Sequence, residues 1–168
     1  MANDNSSQAE KMSRVLETLA NENEDTLASM YLTFRLNNED YGIEVRYVTE
    51  IVGMQKITEV PDMPAFVKGV VNLRGQVIPV IDMRIRFHME PCAYDERTCI
   101  VVVNINKVQV GLVVDTISEV RNIEETQISP APGSSPAYIQ GMAKIGDRVV
   151  ILLEGERILQ EHETMALR

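Results

Sequence analysis

The chain has 168 residues, 45% of them hydrophobic, and a formal net charge of −9 with a pI near 4.7. That balance argues against a nucleic-acid or anionic-membrane surface, since either needs a positive footprint, and directs attention to protein partners. No apolar run approaches the roughly 20 residues that cross a bilayer, and the polar start MANDNSSQAEK does not read as a signal peptide. A cytoplasmic protein without direct membrane insertion is therefore expected; a monomer when free is a separate expectation.

The length suits one domain or two small lobes sharing a core. Residues 1–28 carry six Asp or Glu against two Lys or Arg and read as an acidic, flexible extension. Met12, Val15, Leu16 and Leu19 fall at helical spacing within it, so a short amphipathic docking helix stands as the alternative to a frayed tail. The ordered domain is expected over 29–160, with 161–168 as a tail. Leu32, Phe34 and Leu36 alternate with polar residues, Asn37-Asn38-Glu39-Asp40 supply a turn, and Tyr41, Ile43 and Val45 resume the alternation, which predicts a β-hairpin. Val45, Val48 and Ile51 then fall three apart, as in one turn of helix or 3₁₀, with Glu50 inside it. Their stripe reads equally as core or as the wall of a groove. The connection that follows ends in VPDMP, whose prolines prevent a continuous helix.

The stretch GVVNLRGQVIPVIDMRIR, from Gly69 to Arg86, predicts a second hairpin with Arg74-Gly75 at its tip. Gly75 accepts positive φ without steric penalty. Asn72, Leu73 and Arg74 combine an apolar contact with a planar multi-donor group, a pairing favoured at protein interfaces. Pro79 lacks an N–H, so its strand is expected to be an edge or to carry a bulge. Asp82 is placed to cap a short helix from Met83 to His88. A polar loop, MEPCAYDER, precedes a third hairpin over Cys99–Val103 and Val108–Val114. Residues 129–137, SPAPGSSPA, read as a linker, and residues from Glu154 onward as a terminal helix laid against one lobe.

An internal repeat organises these elements. GIEVRYVTEI from Gly42 aligns with GLVVDTISEV from Gly111 at an offset of 69. GVVNLRGQVIPVID from Gly69 aligns with GMAKIGDRVVILLE from Gly141 at an offset of 72. Gly146-Asp147 falls where the first copy has Arg74-Gly75. Each unit reads as a hairpin, a short turn of helix, a loop and a second hairpin, and neither alone has a large core, so the halves are expected to pack together as small β-barrels.

Signals for chemistry are sparse. Cys92, Cys99, His88 and His162 do not form a zinc framework, and no phosphate-binding, nucleophile-elbow or metalloprotease motif occurs. No cofactor, metal or catalysis is expected. Arg74 also reads as a solubilising turn residue, and Glu50 is its candidate partner, although a turn glutamate is more often simply solvated and an exposed pair would contribute only about 0–1 kcal/mol.

In YGIEVRYVTEIV, PAFVKGVVNLRGQVIPVIDMRIRF, VGLVVDTISEV and GDRVVILL, from about Leu32 to Leu159, the chain resembles the CheW family of bacterial chemotaxis coupling proteins. The resemblance implies an all-β fold with short helices: two intertwined five-stranded SH3-like β-barrels plus a C-terminal helix. It implies a non-catalytic adaptor that joins the cytoplasmic tip of chemoreceptors to the regulatory domain of the CheA histidine kinase and is recruited to membrane receptor arrays. Carried over by motif, a receptor groove between the lobes would include Val45, Val48 and Ile51, with Glu50 and Arg74 as a polar pair nearby. Gly69, Gly111 and Val120 match positions of close packing beside partner surfaces. The rival reading is a small-ligand sensor using the same groove as a pocket.

Overall fold

Two-residue turns decide where this chain doubles back. Positive φ occurs at Asn37 and Asn38, at Arg74 and Gly75, at Asn106 and Lys107, and at Gly146, the backbone that matches the right-handed twist of hairpin strands. The computed structural model describes residues 4–159, and side chains from Ala9; the expected tail at 161–168 and His162 lie outside the described residues.

The first turn joins β1 (Met30–Leu36) to β2 (Glu39–Glu44). A 3₁₀ turn, Val45–Tyr47, leads into β3 (Val48–Gly53), so Glu50 lies on a strand rather than within the turn. Strands β4 (Val67–Leu73) and β5 (Gln76–Asp82) form the Arg74-Gly75 hairpin. Asp82 then caps α3 (Met83–Arg86), its carboxylate accepting from the N–H groups of Arg84 and Ile85. The second half supplies β6 (Cys99–Ile105), β7 (Val108–Val114) and β8 (Thr116–Asn122). There β8 follows a bend at Asp115, where the repeat predicted a helical turn. A 3₁₀ turn at Glu125–Gln127 precedes β9 (Ile128–Pro130), β10 (Ile139–Ile145), β11 (Arg148–Leu153) and α4 (Gly155–Ile158). The expected linker at 129–137 thus begins inside a strand.

The halves exchange their first hairpins. One sheet runs β3-β6-β7-β5-β4 and the other β8-β1-β2-β11-β10-β9. The exchange is symmetric: β5 meets β7 in parallel, with Ile81 opposite Leu112, and β11 meets β2 in parallel, with Ile151 opposite Tyr41. The second sheet has six strands rather than five because β9 pairs along β10. Its counterpart in the first sheet is a single bridge from Thr58 to Val70.

That bridge also explains Pro79, which lies in the interior strand β5 and not at an edge. Val70, opposite Pro79, turns both backbone groups toward Thr58. Pro79 therefore turns its nitrogen toward β7, whose pairing with β5 starts only at Val80. The missing N–H falls where no ladder bond is required.

Leu32, Phe34, Ile43, Val101, Val103 and Leu112 are completely buried in one cluster fed by both halves. A ring column, Phe34–Tyr41–Phe87–Tyr138, runs at centroid spacings of 6.0, 5.6 and 4.5 Å. The buried Arg86 guanidinium lies over Tyr138 and donates to the Ile158 carbonyl at 2.8 Å, which holds α4 against α3.

Asp115 fastens the hairpin exchange from outside. It accepts from Arg84 Nε at 2.8 Å and Nη2 at 2.6 Å, and from the Asn37 N–H at 2.8 Å. Burial pushes its pKa upward, but the Arg84 hydrogen bonds, the Asn37 N–H and the Arg84 charge outweigh it, and the net shift is below the ordinary 3.8. A carboxylate depressed on folding adds stability above its unfolded pKa and loses it as pH falls through the folded value. Asp115→Asn is expected to lower Tm at neutral pH and to converge with the wild type as pH falls through the depressed folded-state pKa of Asp115. Thermal melts by circular dichroism from neutral to acid pH check it; a constant offset would remove the carboxylate charge as the cause, and superimposed curves would show that the pair contributes nothing.

Candidate functional site

Two surface features stand out: the tip of the β4–β5 hairpin and the seam between the sheets. At the tip, period-two alternation sends Val71 and Leu73 inward with Ile78 and Val102, leaving Asn72 and Arg74 outside. Leu73 is 7% exposed, so it is not the apolar contact expected beside the arginine. That part falls to Val77, opposite Asn72 and 64% exposed, which the sequence reading passed over as an ordinary strand residue.

Asn72 accepts from the Gly75 N–H at 2.9 Å and stiffens the turn. Arg74 itself has φ of 51°, so both turn residues are left-handed and not Gly75 alone. An arginine there is strained relative to Asn or Gly. Its side chain is 70% exposed and bonds Glu50 of β3. Strands β3 and β4 are opposite edges of their sheet, so this contact spans a sheet that has rolled toward closure.

The seam is bounded by β3 and β8, one edge strand from each sheet. Repeat symmetry sets Ile51 of β3 in the same place as Val120 of β8. Val45 and Ile51 are buried at 5% and 3%, while Val48 and Val120 are half-buried against the same cluster. Val45 and Ile51 are therefore core, and Val48 and Val120 lie at its margin, where a helix packs on β3 and β8.

That helix is α1 (Asp4–Leu19), followed by the single turn α2 (Glu24–Leu27). It packs on β3 and β8, where the sequence reading preferred a flexible extension. The physical reason is its inner face. Ala9 and Leu16 are buried, Met12 and Leu19 pack beside them, and Ser13 donates to the Ile51 carbonyl at 3.0 Å while facing the Ile51 N–H at 3.4 Å. Val15, counted in the expected stripe, is 37% exposed. The inner face of Ala9, Met12, Ser13, Leu16 and Leu19 is rotated from the expected stripe of Met12, Val15, Leu16 and Leu19, because a serine that binds a sheet edge carries no apolar signal.

Gly69 and Gly111 are buried inside the first lobe and touch the chain itself. A Cβ on Gly69 would lie 2.1 Å from the Thr58 carbonyl oxygen, and one on Gly111 would lie 2.7 Å from Ile100 Cγ2. Among the described residues no group of His, Cys, Asp and Glu could hold a metal ion, and no helix is long and apolar enough to cross a membrane. Cys99 is buried, which pushes its thiol up to about 11.

Paired β-lobes that share one core, with an exposed arginine at a hairpin tip and an apolar seam covered by α1, define a two-lobed β scaffold. Comparison with known proteins is specific: the CheW-like domain model matches residues 30–163, and the chain belongs to the CheW family. It is 40% identical over 147 residues to the chemotaxis protein CheW of Klebsiella aerogenes, spanning 85% of this chain and 88% of that protein. The Helicobacter pylori chemotaxis protein CheW is 33% identical over 143 residues, spanning 83% and 86%. Among solved structures, the scaffolding protein TtCheW of Thermoanaerobacter tengcongensis superposes with a TM-score of 0.75 at 33% identity, over 79% of this chain and 92% of that one.

Proposed function

We propose that the protein is a non-catalytic chemotaxis scaffold that couples the cytoplasmic tip of chemoreceptors to the regulatory domain of a CheA-type histidine kinase, at receptor arrays. The observation that carries a recognition role is Arg74, whose planar multi-donor side chain stands 70% exposed at a hairpin tip, bonded to Glu50 and on the same hairpin as the exposed Val77. Coupling follows if the two partners hold fixed geometry on one rigid body, so that a receptor change alters the kinase equilibrium through differential contact. The seam of Val45, Val48, Ile51 and Val120 suits a helix of the receptor tip, because its present occupant is an amphipathic helix. The tip of Asn72, Arg74, Val77 and Glu50 is a second, polar surface.

The test is a pull-down of wild type and Arg74→Asp against a kinase regulatory domain and a receptor cytoplasmic fragment, with circular dichroism on both. Wild type is expected to hold both partners. The folded variant is expected to lose one of them at least tenfold, which corresponds to about 1.4 kcal/mol. A wild type that holds neither overturns the adaptor reading. Arg74→Gly separates strain from recognition: relief of the left-handed arginine is expected to raise stability by about 1 kcal/mol while still weakening the complex. A lowered Tm would make Arg74 a structural residue instead.

A further inference from the structure

The family match begins at Met30, so α1 precedes the domain shared with the relatives, yet it occupies the seam between that domain's two sheets. We propose that α1 is a built-in competitor for the groove: an intramolecular helix that must leave before a partner helix can enter. The proposal rests on the reading of the seam as a receptor-helix site and adds regulation to it.

Three observations carry it. First, α1 uses the elements that an incoming helix would need. Ala9, Met12, Leu16 and Leu19 cover the cluster that contains Val45, Val48, Ile51 and Val120, and Ser13 satisfies both backbone groups of Ile51 on the open edge of β3. Both helices cannot be present together. Second, one flank of α1 is open to solvent: a cleft lined by Ala9, Ser13, Glu17 and the strand residues Ile51 to Gly53 runs along its contact with β3, and Met12 and Leu19 of its inner face are only partly buried. A short helix held by so few buried side chains is marginal by itself, so this occupant is displaceable. Third, its tether is short. Residues 20–29 separate α1 from β1, which sets an effective concentration in the millimolar range. A segment with ~0.1 mM intrinsic affinity would then occupy the groove most of the time and reduce apparent partner affinity about tenfold.

The test keeps the full chain. Ala9→Glu combined with Leu16→Glu places charge on the inner face of α1 and leaves the groove untouched. Binding of a soluble chemoreceptor cytoplasmic-tip fragment is measured by calorimetry, and amide exchange at Ile51 reports whether α1 has left. The double variant is expected to exchange faster at Ile51 and to bind about tenfold tighter; a synthetic peptide of residues 1–22 added to it is expected to compete the fragment off. Faster exchange with unchanged or weaker binding overturns the proposal. Val120→Glu in the same background tells the two readings apart, with Val48→Ser in its place if circular dichroism shows it unfolded. If that change abolishes fragment binding while undocking α1 has no effect, the groove is the receptor site and the competitor role alone fails. If fragment binding survives the change, the groove reading and the competitor role fall together.

Discussion

Cut in the exposed loop between Cys92 and Ala93, the chain is expected to yield two fragments that stay unfolded apart and fold when mixed. The reason lies in the exchanged hairpins. The first fragment retains β3, β4 and β5 but loses β6 and β7, which stand between β3 and β5 in the sheet. It also leaves β1 and β2 without β8 and β11. Val101, Val103 and Leu112, all fully buried, come from the second fragment and close the core of the first. Neither piece can bury enough apolar surface to offset its chain entropy. Circular dichroism of each fragment and of the equimolar mixture checks this. A cooperative melt from either fragment alone would mean that the hairpins need not be exchanged for a lobe to close.

Gly69→Ala is expected to cost more than about 3 kcal/mol, a large fraction of the roughly 5–15 kcal/mol by which a domain of ordinary stability is folded. Gly69 has φ of 146°, and its added Cβ would meet the Thr58 carbonyl oxygen at 2.1 Å and Ile57 Cγ2 at 2.9 Å. The obstructing atom is backbone, held by the two hydrogen bonds between Thr58 and Val70 at 2.8 Å, and cannot swing aside. Gly141 repeats the arrangement, with the Ser129 carbonyl oxygen at 2.7 Å. Gly75→Ala is the control. Its φ of 84° is also left-handed, but nothing lies within 4 Å, so about 1 kcal/mol is expected. Urea midpoints for the two variants separate close approach from backbone strain; equal losses would remove the steric explanation and reduce Gly69 to a conformational requirement.

Gly69 and Gly111 show how far motif reaches: the expected close packing is present, and its partners within the folded chain are Thr58 and Ile100. Leu73 was marked as a contact because it adjoins Arg74 in sequence. Alternation carries it inward, and Val77, across the ladder from Asn72, takes the exposed place. The Arg74–Glu50 pair was anticipated from motif rather than from geometry, since the two residues come from opposite edges of a sheet and meet only when it rolls.

What the sequence determined by itself is local. Asn37-Asn38, Arg74-Gly75, Asn106-Lys107 and Gly146 fix the hairpin turns, alternation fixes the inner face of each strand, and Asp82 fixes the start of α3. All of these act over a few residues. The repeat told that two like units exist. Which strand sits beside which was decided only in three dimensions, because a hairpin offers the same edge and the same apolar face to its own half and to the other. The parallel contacts β5–β7 and β2–β11 and the tolerance of Pro79 in an interior strand follow from that choice. The docking of α1 was decided in the same way: four apolar residues do not hold a helix in water, and only the open edge of β3, waiting for the hydroxyl of Ser13, gives this one a place to lie.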